Sequence, residues 1–200
     1  MNRALKYLFD RTVALLALLI LTPLFLVVAA GIKATSPGPV FFRQKRVGRN
    51  GMLFTIIKFR TMRVNVDNNT VTAADDHRIT SLGAMLRKWK IDELPELINV
   101  LTGDMSFVGP RPDVPGYADR LEGEDRRILE LRPGITGPAS LKYLNEEEIL
   151  AGVDDPAEYN DRVIWPDKVR INLRYRERQS FTGDIKIMIH TVLRKPCDEY

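Results

Sequence analysis

The stretch "VALLALLILTPLFLVVAAGI", Val13 to Ile32, carries no charged residue. At about 1.5 Å per helical residue it is long enough to cross a hydrocarbon core of about 30 Å. Membrane contact follows, and three readings of the segment compete. A cleaved signal peptide would use Arg3, Lys6 and Arg11 as its basic start and Val28-Ala29-Ala30 as its small-residue cleavage site. A straight transmembrane helix would merely tolerate Pro23. A re-entrant hairpin would use it, because proline removes a backbone hydrogen bond and bends the helix in mid-run, while Thr22 offers a hydroxyl to a freed carbonyl. Basic residues flank both ends, with Lys33, Arg43, Lys45, Arg46 and Arg49 following the segment. Positively charged flanks stay on the cytoplasmic side, which both ends can do only if the helix turns back. The expected organisation is therefore a re-entrant membrane helix hairpin over residues 1–35, followed by a cytosolic domain with membrane-associated helices over 36–200.

The full chain has 200 residues, 44% of them hydrophobic, which is ordinary for a protein that buries a core and argues against disorder. A net charge of +4 points to anionic partners such as phosphates, nucleic acid or acidic lipid headgroups. The lone cysteine, Cys197, excludes an intramolecular disulfide and fits a reducing compartment. Two scattered histidines, His77 and His190, argue against a His/Cys zinc site. There are no internal repeats.

Beyond the "SPGP" break at Ser36 to Pro39, "VFFRQKRVGRNGMLFTIIKF" places two β-rich runs around Asn50-Gly51, a hairpin-turn signal. Val64 to Asp76 reads as polar loop, and Ile79 to Trp89 as a helix with Leu82, Met85, Leu86 and Trp89 on one face. Leu94, Leu97, Ile98 and Leu101 follow helical spacing and Gly103 stands where a C-cap belongs. Pro95 falls in the first turn of that helix, where a missing N–H costs little, so Asp92 and Glu93 lie at its N-terminus. "GPRPDVPG" and "RPGITGP" read as rigid loops. Helices are predicted to resume near 117–131, 146–151, 166–177 and 184–193, the last with an apolar face suited to packing or to a membrane surface. The class is α+β, mainly helical, without the strand–helix alternation of a nucleotide-binding parallel sheet.

Taken alone, Asp92-Glu93 is a helix N-cap and a first-turn acid. Its surroundings add chemistry. Arg87 precedes the pair, Arg111 follows in "GPRP", Arg132 opens "RPGITG", and Lys58 and Arg60 close the β-ribbon in "KFRTM". Arginine forks match phosphate oxygens, so basic groups on rigid loops near carboxylates suit phosphoryl transfer. Neighbouring acids on a helix diverge by about 100° and so can take different tasks. One can attack phosphorus while another holds Mg2+ against the phosphate oxygens.

The ordered set "SPGPVFFRQKRVG", "FTIIKFRTM", "DDHRITSLGAMLRKWKIDELPELINVLTGDMSFVGPRP" and "LRPGITG", preceded by "LTPL" in the apolar segment, resembles the bacterial sugar transferases, the monotopic phosphoglycosyl transferases. The resemblance runs from about Lys6 to Gly137 and continues weakly through "FTGDIKIMIHTVL". It implies a Mg2+-dependent enzyme that moves a sugar phosphate from a UDP-sugar to polyprenyl phosphate, usually undecaprenyl phosphate, and releases UMP, initiating glycoconjugate synthesis. By similarity Asp92 is the nucleophile, Glu93 the Mg2+ ligand, Arg87 and Arg111 the phosphate binders, and Thr22-Pro23 the break in the membrane helix. The implied setting is the cytoplasmic face of the inner membrane, with membrane lipid as a further partner, nucleic acid as none, and a homodimer left open. Residues 138–168 depart from the tryptophan-containing pattern of larger relatives, which leaves the sugar unassigned. Those relatives carry extra N-terminal membrane helices, so a minimal catalytic unit is expected.

Two other classes remain to be separated from this one. A membrane-anchored binding module would use its basic loops on anionic lipid or nucleic acid and its acids as helix caps. An inverting glycosyltransferase would deliver the sugar alone and release UDP. UMP release distinguishes the phosphoglycosyl transferase from both.

Overall fold

The computed structural model describes residues 3–63 and 78–196, so Cys197, His77 and the predicted loop at 64–76 lie outside the described residues. Helix α1 runs from Arg3 to Thr35 with Pro23 inside it. The sequence predicts a break at this proline, whereas the backbone stays helical through it, so two separate helices joined by a turn do not form. The Thr22 hydroxyl donates to the carbonyl of Leu18 at 2.8 Å. The carbonyl that proline deprives of its amide donor is the next one along, that of Leu19, so Thr22 does not relieve it as predicted.

Both ends of α1 nevertheless rest on the same body of protein. Near its start, Lys6 reaches Asp184 at 2.6 Å, and Phe9 meets Phe181 edge-on with ring centroids 5.0 Å apart. Near its end, Val28 and Ile32 pack with Phe59 and Leu86. Between them Ala14, with Ala17, Leu18 and Leu21, joins Phe54, Ile56, Leu97, Val100 and Met105 in a buried cluster. The opposite face is bare: Leu8, Leu19, Ile20, Leu26 and Val27 are 63% to 76% exposed. A helix that is apolar on all sides and covered on one is suited to lipid on the other.

Strands β1 (Phe41–Val47) and β2 (Leu53–Phe59) pair antiparallel from Phe41↔Phe59 to Val47↔Leu53. Asn50 and Gly51 take the positive φ values, 58° and 78°, that their dipeptide forecasts. Helix α2 (Ser81–Lys88) falls within the predicted span, and α3 (Glu96–Thr102) ends on Gly103 at φ 93° as its sequence requires. The loops before and after residues 117–131 contain strands the sequence did not announce, β3 (Ser106–Val108) and β4 (Gly134–Thr136), paired in parallel. The predicted helix over 117–131 does not form. Two 3-10 turns stand there, Ala118–Arg120 and Asp125–Glu130, divided by extended Leu121 and by Gly123 at φ 54°.

Short helices α4 (Pro138–Lys142), α5 (Glu146–Ala151) and α6 (Pro156–Tyr159) cross the divergent segment, two of them opened by proline at the first position. A π-helical turn, Asn160–Ile164, leads into α7 (Trp165–Arg178), and α8 (Phe181–Leu193) follows a Ser180 cap. The ion pair of Lys168 with Glu146 at 2.6 Å and that of Lys142 with Asp167 at 2.6 Å tie this segment to α7. Val108, Leu131 and Leu141 bury with Tyr175 of α7 and Ile187 of α8. Beneath α1, Lys6 lies between Asp184 and Asp10, 3.5 Å from the latter; the Ser106 hydroxyl donates to Asp10 at 2.7 Å and the Tyr175 hydroxyl to Asp184 at 2.6 Å. All five of these side chains are buried. The architecture is α+β and mainly helical, as predicted.

Candidate active site

The acid pair sits on a sharply turned segment between α2 and α3. Helix α2 ends at Trp89, and Lys90 adopts a left-handed conformation, φ 56° and ψ 23°, that reverses the chain. Ile91–Glu93 then make one 3-10 turn, and Pro95 caps α3 rather than entering its first turn. Left-handed backbone at a non-glycine residue costs about 1–2 kcal/mol, and such strain gathers where geometry must be held.

Three devices bring basic groups to this turn. The Asn99 side chain on α3 donates from Nδ2 to the Thr55 carbonyl at 2.8 Å and accepts from the Ile57 amide at 3.1 Å, which fixes β2 and thereby Lys58 against α3. Arg87 comes from the last turn of α2, its Nε donating to the Thr61 hydroxyl at 2.9 Å. Arg111 rides on a loop fastened at four points. Gly109 N donates to the Thr136 carbonyl, Gly134 N to the Pro110 carbonyl, Arg46 to the Pro112 carbonyl and Val47 N to the Asp113 carbonyl, at 2.9, 2.8, 3.2 and 2.9 Å. Glycine is required at this crossing: a Cβ on Gly109 would stand 2.2 Å from the Arg132 carbonyl oxygen.

Asp92 and Glu93 have opposite surroundings. Glu93 Oε1 accepts from Lys58 Nζ at 2.7 Å and from Arg111 Nη2 at 2.5 Å. Those two cations outweigh its burial and hold its carboxyl well below the usual range. The same pairing pushes Arg111 above its ordinary value, although its side chain is 48% exposed. Asp92 is buried and its Oδ1 has no hydrogen-bond partner. Burial first and Glu93 second raise its pKa, opposed by Lys58, Lys90 and Arg87 in that order. An ionisable oxygen without a partner, facing a field of cations, has the surroundings that nucleophilic attack on phosphorus requires.

Of the other basic residues singled out in the sequence, neither Arg60 nor Arg132 joins this cluster. The buried Arg60 donates to the carbonyls of Ser36 at 2.8 Å and of Pro37, latching the chain just after α1. Arg132 lies over the Tyr7 ring, 3.6 Å from its centroid, and burial lowers its pKa. The structure adds Arg46 and Glu96, which sequence reasoning missed. Together with Ile56, Lys58, Arg111 and Pro112 they line a small cleft. Their one signal in the sequence is charge inside a strand and inside an otherwise apolar helix repeat.

Among the described residues no three His, Cys, Asp or Glu side chains gather to hold a metal by protein ligands alone. Mg2+ ordinarily takes only one or two carboxylates and fills its remaining positions with water and phosphate. Glu93 offers one such ligand, since Oε2 has only a 3.5 Å contact with Arg111 Nη1. The donor set thus fits a Mg2+ shared with a bound phosphate.

A model of the bacterial sugar transferase family matches residues 1–195. The chain is 38% identical over 202 residues to exopolysaccharide production protein PSS of Rhizobium leguminosarum bv. phaseoli, covering 96% of each protein. It is 37% identical over 195 residues to the UDP-glucose:undecaprenyl-phosphate glucose-1-phosphate transferase of Xanthomonas campestris pv. campestris, covering 94% of this chain and 38% of that protein. It is 38% identical over 200 residues to the protein of that name in Escherichia coli (strain K12), covering 96% and 40%. The chain therefore spans about two fifths of the length of these last two relatives.

Proposed function

Because the chain belongs to the bacterial sugar transferase family, we propose that it moves a sugar 1-phosphate from a UDP-sugar to polyprenyl phosphate, with Asp92 as the acceptor in between. The observation that carries this reading is the unpartnered, buried Oδ1 of Asp92 beside Arg87 and Lys58. The names of the relatives favour UDP-glucose and undecaprenyl phosphate as the substrates.

In the first half-reaction, an Asp92 oxygen attacks the phosphorus that bears the sugar. The bond from that phosphorus to the bridging oxygen breaks, UMP leaves with the electron pair, and the phosphosugar remains on Asp92 as an acyl phosphate. In the second, a phosphate oxygen of the lipid attacks the same phosphorus and the Asp92 carboxylate is restored. Arg87, Lys58 and Arg111 stand where charge accumulates on the phosphoryl oxygens. Glu93 would hold Mg2+ through Oε2; when bound, the metal neutralises phosphate charge. The lipid substrate reaches the site along α1, a helix with mean hydropathy 2.9 over its apolar window and long enough to cross a membrane. Its two ends meet one domain, which supports a monotopic seat on the cytoplasmic face of the inner membrane. Exposed Trp89 at the end of α2 and Ile189, Val192 and Leu193 on α8 extend the apolar surface available to lipid.

Incubation with UDP-glucose labelled in the glucose, without lipid acceptor, should release UMP and leave label on Asp92. Asp92→Asn should remove both the label and turnover, by about 1,000-fold or more, with folding intact, because an amide is a poor nucleophile toward phosphorus. Release of UDP would identify a transfer of sugar alone; no release until lipid is added would identify direct transfer without an enzyme-bound intermediate.

A further inference from the structure

Glu96 has no part in the chemistry described so far, yet it is among the most deeply buried charged residues, 2% exposed. It opens α3, one turn after Glu93, so the two side chains share a face. Lys58 Nζ lies 3.2 Å from Glu96 Oε1 and 2.7 Å from Glu93 Oε1, so one ammonium bridges two carboxylates. The Glu96 contact is within ion-pair reach but not aligned as a hydrogen bond, and Oε1 is left without a hydrogen-bond partner. Burying a carboxylate whose Oε1 has an ion-pair contact but no aligned hydrogen bond is costly. Such a cost calls for a task other than holding the fold.

The task follows from what each partner of Lys58 must do. Lysine is a point charge on a flexible four-carbon stem and follows whichever anion lies nearest. On the reading above, Glu93 would change partners as the phosphate group arrives, its hold on the ammonium weakening as the carboxylate takes up Mg2+. An ammonium held by Glu93 alone would then be free to swing away from Asp92, where it is the strongest of the charges favouring the carboxylate. Glu96 faces no such exchange, being walled into the cleft with Ile56 and Pro112.

We propose that Glu96 is a positioning residue that keeps Lys58 beside Asp92 while Glu93 exchanges partners, so that the ammonium serves the phosphoryl group in both half-reactions. The proposal rests on Asp92 being the phosphosugar acceptor.

The test is a mutant cycle in single-turnover labelling from UDP-glucose, using the full chain in detergent or vesicles. Glu96→Leu should slow labelling at saturating UDP-glucose by about tenfold or more while the half-saturating concentration moves by less than about threefold, the pattern of an interaction used in the transition state. Its thermal midpoint should stay close to that of the wild type, because Lys58 keeps Glu93 as a partner. In a Lys58→Met background the same change should alter the rate by less than about twofold, because a residue acting only through Lys58 has nothing left to act on. Glu96→Gln, which retains an acceptor oxygen without the charge, should restore part of the rate, and it decides the cycle if the leucine variant does not fold. Equal losses in the two backgrounds would overturn the proposal, as would wild-type labelling by both variants. A wild type that takes no label would overturn the phosphoryl-transfer reading and this proposal with it.

Discussion

Asp92 is balanced between burial, which favours its neutral form, and three cations that favour the carboxylate. Attack on phosphorus needs the carboxylate, so the labelling rate should rise with pH along a limb displaced above the ordinary carboxylate range. Lys58 is the largest opposing charge, and Lys58→Met should move that limb to still higher pH, read from single-turnover rates across the acidic to neutral range. An unmoved limb would assign the ionisation elsewhere. Glu96 makes a separate prediction for stability. Burial pushes its carboxyl from 4.5 up to about 7, so the folded state holds its proton more tightly than the unfolded state does. The stability this contributes is complete below about 4.5 and is lost as pH rises through about 7. The thermal midpoint should therefore fall over that interval, and Glu96→Gln should flatten the fall. Of these residues the sequence displays Asp92, Glu93, Lys58, Arg87 and Arg111 as a group. It hides Glu96 because, in a repeat marked by Leu94, Leu97, Ile98 and Leu101, a lone acid reads as the solvent face. That face is instead covered by β2 and Lys58.

The element that most constrains the site is the parallel pair β3–β4, beside which Gly109, Gly134 and Gly137 bring backbone against backbone. Gly109→Ala would drive a methyl group into the Arg132 carbonyl and displace the loop that carries Arg111. A loss on the order of 2–4 kcal/mol in unfolding free energy is expected, together with slower labelling. Calorimetry and single-turnover rates check the two effects; an unchanged labelling rate would show that Arg111 does not depend on this crossing. The sequence marks both loops as rigid through their Pro and Gly content. Their pairing was not legible, since a three-residue strand has no period to read and its partner lies beyond the intervening turns. The helix forecast over 117–131 fails for a local reason, since Gly123 at φ 54° interrupts that span. By contrast the Asn50-Gly51 turn and the Gly103 cap are local signals, and each forms as its residues require.

Across the whole molecule, α1 begins and ends on one domain, so cysteines at Ala4 and Asn50, introduced after Cys197→Ser, should react with an impermeant maleimide from the same side of the membrane. Labelling from opposite sides would establish a straight span and would separate Lys6 from Asp184. That ion pair also has a consequence in time. Lys6 and Asp10 leave the ribosome well before Tyr175 and Asp184, and synthesis at about 5–20 residues per second puts roughly ten seconds or more between them. A chain whose α1 entered lipid within that interval would wait at the membrane with its body unclosed and with Lys6 paired only to Asp10. Nascent chains stalled before Asp184 should be cut readily by protease at the membrane surface, and chains stalled well beyond α8 should resist.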